Sequence, residues 1–288
     1  MNDNVTLKGA RWWKEVGWKH VLAVVLMLYC IFPLLYVLSA SLNPGGTISG
    51  SSELFRKVSA ENYATLFGTN FPRWMLQSFV VSTTTAIGTV LMAASAAYAF
   101  SRHRFTGRRG GLTALMLVQM FPQMLAFVAI FLLLLMLRDI YPVLGLNSAL
   151  GLIAVYLGGA LGSNTFLIYG FFNTIPKELD EAARIDGATH AQIFWGVIMR
   201  LVTPILVVVG LLSFVSSYGE FILAKVVLQR PEDYTLAVGM YVWASDERNA
   251  PWSLFAAGAV VAAIPVVLLF MYLQKYIVAG LTAGAVKG

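Results

Sequence analysis

The chain has 288 residues, of which 58% are hydrophobic and 12% charged, with a mean hydropathy of +0.74. That balance excludes an ordinary soluble domain of this length, and apolar runs recur from end to end, so one polytopic helical domain explains the chain better than two globular ones. The formal charge of +6 comes from basic residues scattered between apolar runs, a pattern of membrane topology rather than nucleic-acid binding.

A basic segment, residues 1–19 with Lys8, Arg11, Lys14 and Lys19, opens the chain. The apolar runs then predict an all-α protein with six transmembrane helices, at about 20–42, 75–100, 112–137, 149–172, 201–228 and 253–280. A cleaved secretory signal is the alternative for the first run, supported only by Ser39-Ala40-Ser41; the run extends well past a signal core. Cys30 lies within it, so neither an internal disulfide nor a thiolate-rich metal site can form. With the N-terminus inside, thirteen of the twenty Lys and Arg residues fall on the inner side. The short connection RHRFTGRRGG after the second span carries the most weight. Both termini are therefore expected in the cytoplasm, with a transmembrane domain over 20–280 and a short, flexible tail over 281–288.

Pro33, Pro122, Pro204 and Pro265 fall inside or near the ends of the runs, where each removes a backbone donor and kinks its helix. Kinks suit a gated path and are also ordinary membrane-helix packing. Small residues at Gly158, Gly159 and Gly162, and at Ala256, Ala257 and Gly258, would let helices approach closely.

The stretch from Asn173 to Pro204 is a polar insertion between two apolar runs, and its punctuation predicts a helix-turn-helix over about 173–200. Pro176 suits a first helical position, and Glu178, Asp180 and Glu181 sit where acids favour the positive end of a helix. Gly187 can supply a left-handed end, and Thr189 with Gln192 has capping-box spacing. Leu179, Ala182 and Ala183 are expected to share a face edged by Glu178 and Glu181. Such a face suits docking into a groove of another protein, or is simply a solvated amphipathic surface.

The run Glu181-Ala182-Ala183-Arg184-Ile185-Asp186-Gly187-Ala188 resembles the EAA loop of binding-protein-dependent ABC importer permeases, whose coupling helix docks on the ATPase subunit. The resemblance implies that Glu178, Glu181, Ala182, Ala183, Asp186 and Gly187 carry ATPase coupling. The family pattern often has a proline about a dozen residues after the glycine; here Arg200 stands there and the next proline is Pro204, which leaves the geometry of the second helix open.

The stretches MFP (120–122), LGLN (144–147), YLGG (156–159), YTLAVGM (234–240) and GLTAGAVKG (280–288) look like the shorter permease subunit of the maltose and maltodextrin importer. That resemblance implies a permease subunit in the bacterial cytoplasmic membrane, surrounded by lipid, with a homologous second permease, a dimeric ATPase and an extracytoplasmic sugar-binding protein as partners. No G-x-x-x-x-G-K-[ST] phosphate loop occurs, so this chain is not expected to be an enzyme or to bind a cofactor; ATP and Mg would sit on the partner ATPase. Thr282 and Lys287 would reach the ATPase, unless the tail is merely frayed. Tyr241, Trp243, Asp246 and Trp252 would meet the binding protein, although aromatics also anchor helices at membrane interfaces.

Glu220, an ionisable group within a span, could line the path or pair with Lys225, and Gln119, Gln123 and Asn164 are further path candidates. Transport of another oligosaccharide such as trehalose is an alternative. An ion-gradient-driven secondary transporter is another, with Glu220 its only support. His20, His103 and His190 lie at or outside the membrane boundaries without an acid/base or metal constellation, which argues against a membrane enzyme.

Overall fold

The computed structural model describes residues 9, 12–44, 54–245 and 250–285, which form helices joined by turns with no strand among them. These residues fall into two compact units, one drawn from the chain up to 68 together with 243–261, the other from 69–242 together with the chain from 262 on.

The first unit holds α1 (Trp18–Ser41), continuous with a wide turn at Trp13–Gly17, and α2 (Glu61–Phe67). The end of α1 is fastened by polar side chains: Ser41 shares a 2.8 Å hydrogen bond with the Tyr63 hydroxyl, and the Asn62 amide donates to the carbonyls of Ser41 and Asn43 at 2.8 and 2.9 Å. Along most of its length α1 exposes apolar side chains such as Leu28, Phe32 and Leu34 on all sides. A helix apolar all round requires an apolar surrounding.

The second unit is built on α3 (Phe71–Arg102), α6 (Ala149–Phe172) and α9 (Thr203–Tyr218), with α3 packed against both of the others. Its sequence explains this central place: Ser78, Ser82, Thr85, Thr89, Ala93 and Ala97 recur at helical spacing and are all buried, so neighbouring backbones come close. Ile168, Phe172, Ile198, Val202 and Val209 complete the core around Ala93, Ala94 and Ala97. The predicted second and fourth spans correspond to α3 and α6.

The third and fifth predicted spans are interrupted. The run 112–137 divides into α4 (Arg108–Met120) and α5 (Gln123–Ile140), bent by 100°. Phe121 is extended at φ −69°, ψ 127°, the conformation favoured before a proline, and Pro122 offers no amide proton to carry the helix on. The run 201–228 divides into α9, which stops at Tyr218, and, after Gly219–Phe221, the short α10 (Ile222–Val227). Upstream, α8 (His190–Leu201), which follows α7 (Glu178–Ile185), meets α9 at a 78° bend on Val202, with Pro204 in the first turn of α9. With Arg200 in place of a proline, α8 runs on to Leu201.

The remaining helices are α11 (Leu236–Ala244) and α12 (Trp252–Ala285). Pro33 and Pro265 lie within α1 and α12. The described part of the expected tail, 281–285, continues α12, with no proline to stop it. Among the described residues, four helices are long and apolar enough to cross a membrane, and the count reaches six when each bent pair is one span.

Candidate docking site

The polar loop between α6 and α9 folds as its punctuation requires. Helix α7 starts at Glu178 with Lys177 as its cap, so Pro176 stands two residues before the first helical residue rather than in the first position; the Lys177 carbonyl accepts from the amides of Asp180 and Glu181 at 3.0 and 3.1 Å. Gly187 closes the helix at φ +84°, with its amide bonded to the Arg184 carbonyl and the Ala188 amide to the Ala183 carbonyl. Thr189 and Gln192 then form the reciprocal capping box that opens α8.

The faces of α7 differ from the expected pattern. Leu179, Ala182 and Ala183 do not share one surface: Ala183 packs towards the core beside buried Asp180, whereas Leu179 and Ala182 are exposed. The outward side carries Glu178, Glu181, Ala182 and Asp186 around Ile185, which is 87% exposed. Sequence reasoning passed over Ile185, although a large aliphatic residue in an otherwise polar loop was a signal for it. An apolar knob ringed by carboxylates is suited to a groove with a basic margin.

Sequence reasoning also missed what lies beneath α7. The Asp180 carboxylate meets the Arg102 guanidinium, Oδ2 to Nε at 2.8 Å, with both side chains at most 6% exposed. A second guanidinium nitrogen of Arg102 donates to the Ile175 carbonyl at 3.1 Å, and Ser101 donates to the Asn173 side chain at 2.9 Å. One turn back on α3, the Tyr98 ring packs on Phe172 of α6 and Phe194 of α8 at centroid distances of 6.4 and 4.9 Å. The loop is therefore seated on the end of α3 that leads into RHRFTGRRGG. From that basic connection Arg108 donates to the Tyr169 hydroxyl of α6 at 3.2 Å.

The other candidates lie apart from this loop. Glu220 does not pair with Lys225. Its carboxylate accepts from the Tyr156 hydroxyl at 2.7 Å and from the amides of Leu223 and Ala224 at 2.8 and 2.9 Å, which supplies acceptors for the start of α10; Lys225 instead donates to the Tyr234 hydroxyl at 3.2 Å. Gln119 on α4 presses its carboxamide against Gly162 of α6, where any Cβ would collide with it. Gln123 opens α5, and Asn164 bonds back to the Ala160 carbonyl within α6.

In the segment before α12, Tyr234, Leu236, Val238 and Met240 are buried. Tyr241 is exposed and packs tilted against Phe221 at a ring-centroid distance of 4.3 Å, Trp243 and Trp252 are half-buried, and Asp246 lies outside the described residues. Thr282 falls within α12, and Lys287 lies outside the described residues.

Residues 90–283 match the family described as "Binding-protein-dependent transport system inner membrane component". Among curated relatives, the galactooligosaccharides transport system permease protein GanQ of Bacillus subtilis is 38% identical over 274 residues, covering 93% of this chain and 94% of the relative. The maltose/maltodextrin permease MalG of Salmonella typhimurium is 38% identical over 283 residues, at 93% and 95% coverage. The maltodextrin permease MalD of Streptococcus pneumoniae is 32% identical over 289 residues and covers both chains fully. Among solved structures, a chain of a bacterial ABC transporter involved in the import of the acidic polysaccharide alginate superposes with a TM-score of 0.80 at 24% identity, over 94% of this chain and 99% of that one.

Proposed function

The chain belongs to the family of binding-protein-dependent transport system inner membrane components, and from that premise we propose that it is a permease subunit of an ATP-driven oligosaccharide importer, with maltodextrins as its sugars. The observation that carries the reading is the two-sided α7. Its inner side is seated on α3 through Asp180, and its outer side offers Ile185, Ala182 and the carboxylates of Glu178, Glu181 and Asp186 to a partner. The partner is a dimeric ATPase subunit, which holds the ATP and Mg. The arginine-rich connection at the same end of α3 supports a cytoplasmic location for this surface and for both termini. A homologous second permease completes the membrane core, and an extracytoplasmic binding protein delivers sugar to the opposite side, where Tyr241, Trp243 and Trp252 are the residues offered to it. Relatives at 32–38% identity that handle maltodextrin or galactooligosaccharides support the sugar class.

Transport then follows alternating access. ATP binding closes the ATPase pair, draws α7 with it and favours one global state of the permease over the other; hydrolysis resets the cycle. Only a ligand with different affinities for the two states can shift them.

The test is reconstitution of this chain in nanodiscs with its co-expressed partners, followed by ATP hydrolysis with binding protein and maltotriose or galactotriose. The expected result is stimulation by maltotriose, and its loss in Glu181→Lys, which turns an attraction into a repulsion at the docking surface. Failure of an ATPase to co-purify, or stimulation untouched by the charge reversal, overturns the docking role. Stimulation by galactotriose alone moves the assignment to the other sugar class.

A further inference from the structure

Helix α7 is joined through the backbone only to α6 and α8, yet its one buried charge is directed at α3. A buried ion pair is a poor way to gain stability, because desolvation consumes much of the attraction. What it does supply is a fixed register between two elements. Asp180 and Arg102 are held by one contact at 2.8 Å, and the same guanidinium bonds the Ile175 carbonyl, so the start of the loop and α7 are both tied to the last turn of α3. Ser101 adds the bond to Asn173. These contacts join the loop and α7 to the end of α3 at three points.

The other end of α3 is tied in the same manner. The indole nitrogen of Trp74 donates to the Pro231 carbonyl at 2.7 Å, and the Ser78 hydroxyl accepts from the Leu236 amide at 2.7 Å. Gly239 lies directly against the Trp74 ring, where a Cβ could not fit. Between these ends run 32 residues, a rod of about 48 Å, which is longer than the roughly 30 Å apolar core of a bilayer.

We propose that Arg102 and Asp180 are positioning residues that make α7 and α3 one rigid body, so that displacement of α7 by the ATPase is carried along α3 to residues 231–239 at its far end. The inference rests on the importer reading above and adds the route by which the two faces communicate. Between its ends α3 buries Thr85, Thr89, Ala93 and Ala97 in one unbroken helix, and its only proline, Pro72, lies in the first turn.

The experiment uses the full reconstituted complex and reads sugar transported per ATP hydrolysed, normalised to assembled complexes, a ratio that loss of folded protein alone does not change. Arg102→Gln and Asp180→Asn are each expected to lower the ratio about tenfold, within the usual range of coupling between sites, and the exchange Arg102→Asp with Asp180→Arg is expected to recover most of it. Arg102→Cys with Asp180→Cys, in a Cys30→Ser background, gives a second measurement: the ratio should be low before and restored after joining the thiols with a short bis-maleimide. An unchanged ratio in the single variants, or a joined protein that hydrolyses ATP without transporting, overturns the rigid link. A wild-type complex without ATP-dependent uptake defeats the importer reading itself and the link with it.

Discussion

The break between α9 and α10 depends on one carboxylate, which allows its contribution to be measured. Glu220 accepts three hydrogen bonds at 2.7–2.9 Å, two from the free amides of Leu223 and Ala224 and one from Tyr156, which is 9% exposed. Tyr156→Phe removes a donor to a charged acceptor and leaves the rest of the site in place, so it should cost about 1.5–3 kcal/mol. Glu220→Gln keeps a single acceptor oxygen for three donors; leaving a buried donor unmet costs about 1–3 kcal/mol. Both changes act on the Tyr156–Glu220 bond, one by removing its donor and the other by weakening its acceptor, so the double variant should fall short of the sum by about 1–2 kcal/mol. Unfolding free energies from steric trapping in bicelles, measured for the four proteins of the cycle, provide the numbers. Additivity within about 0.3–0.5 kcal/mol, or single costs below that level, would refute the claim that Glu220 and Tyr156 fasten the break.

Two further substitutions isolate backbone conformations. Asn147 adopts φ +61°, and its side-chain oxygen accepts from the amides of Gln229 and Arg230. Asn147→Gly should lose only those partly solvated bonds, about 1–2 kcal/mol in all, while Asn147→Ala adds roughly 1 kcal/mol of left-handed strain; the melting temperature of the alanine variant should be the lower of the two. Gly187 stands at φ +84° with open space around the position of a Cβ, so Gly187→Ala introduces strain without collision. A cost of about 1 kcal/mol should appear as faster hydrogen exchange confined to the amides of α7 and its turn.

The membrane character and the helical loop were legible because both rest on local rules. Apolar run length gives the spans, and the sequence Pro176, Glu178, Gly187, Thr189, Gln192 follows the chemistry of helix ends, which acts within one turn. The two interrupted spans show where length alone misleads. Residues 112–137 and 201–228 are apolar enough to be continuous, but Pro122 removes a donor and Gly219–Phe221 departs from the helix with Glu220 as substitute acceptor. The proline was visible; its position at a break rather than a mild kink depends on what α4 and α5 meet in the folded chain.

Charge was harder to read because sequence gives a residue's type but not the side of the helix on which its burial is compensated. Glu220 drew attention for lying in an apolar run, and its partners prove to be Tyr156 and its own downstream backbone rather than Lys225. Asp180 drew none, since it sits between Glu178 and Glu181 and shares their description as first-turn acids. On a helix of eight residues consecutive positions differ by about 100° of rotation, so one acid of the three faces inward while its neighbours face out. Whether that position holds a charge or an alanine depends on Arg102, 78 positions earlier in the chain, whose guanidinium is buried at the same point. Neither residue would be stable there without the other. A complementary pair of this kind leaves no local mark in either segment, which is why the contact that seats α7 was absent from the sequence reading while the surface it presents was largely present.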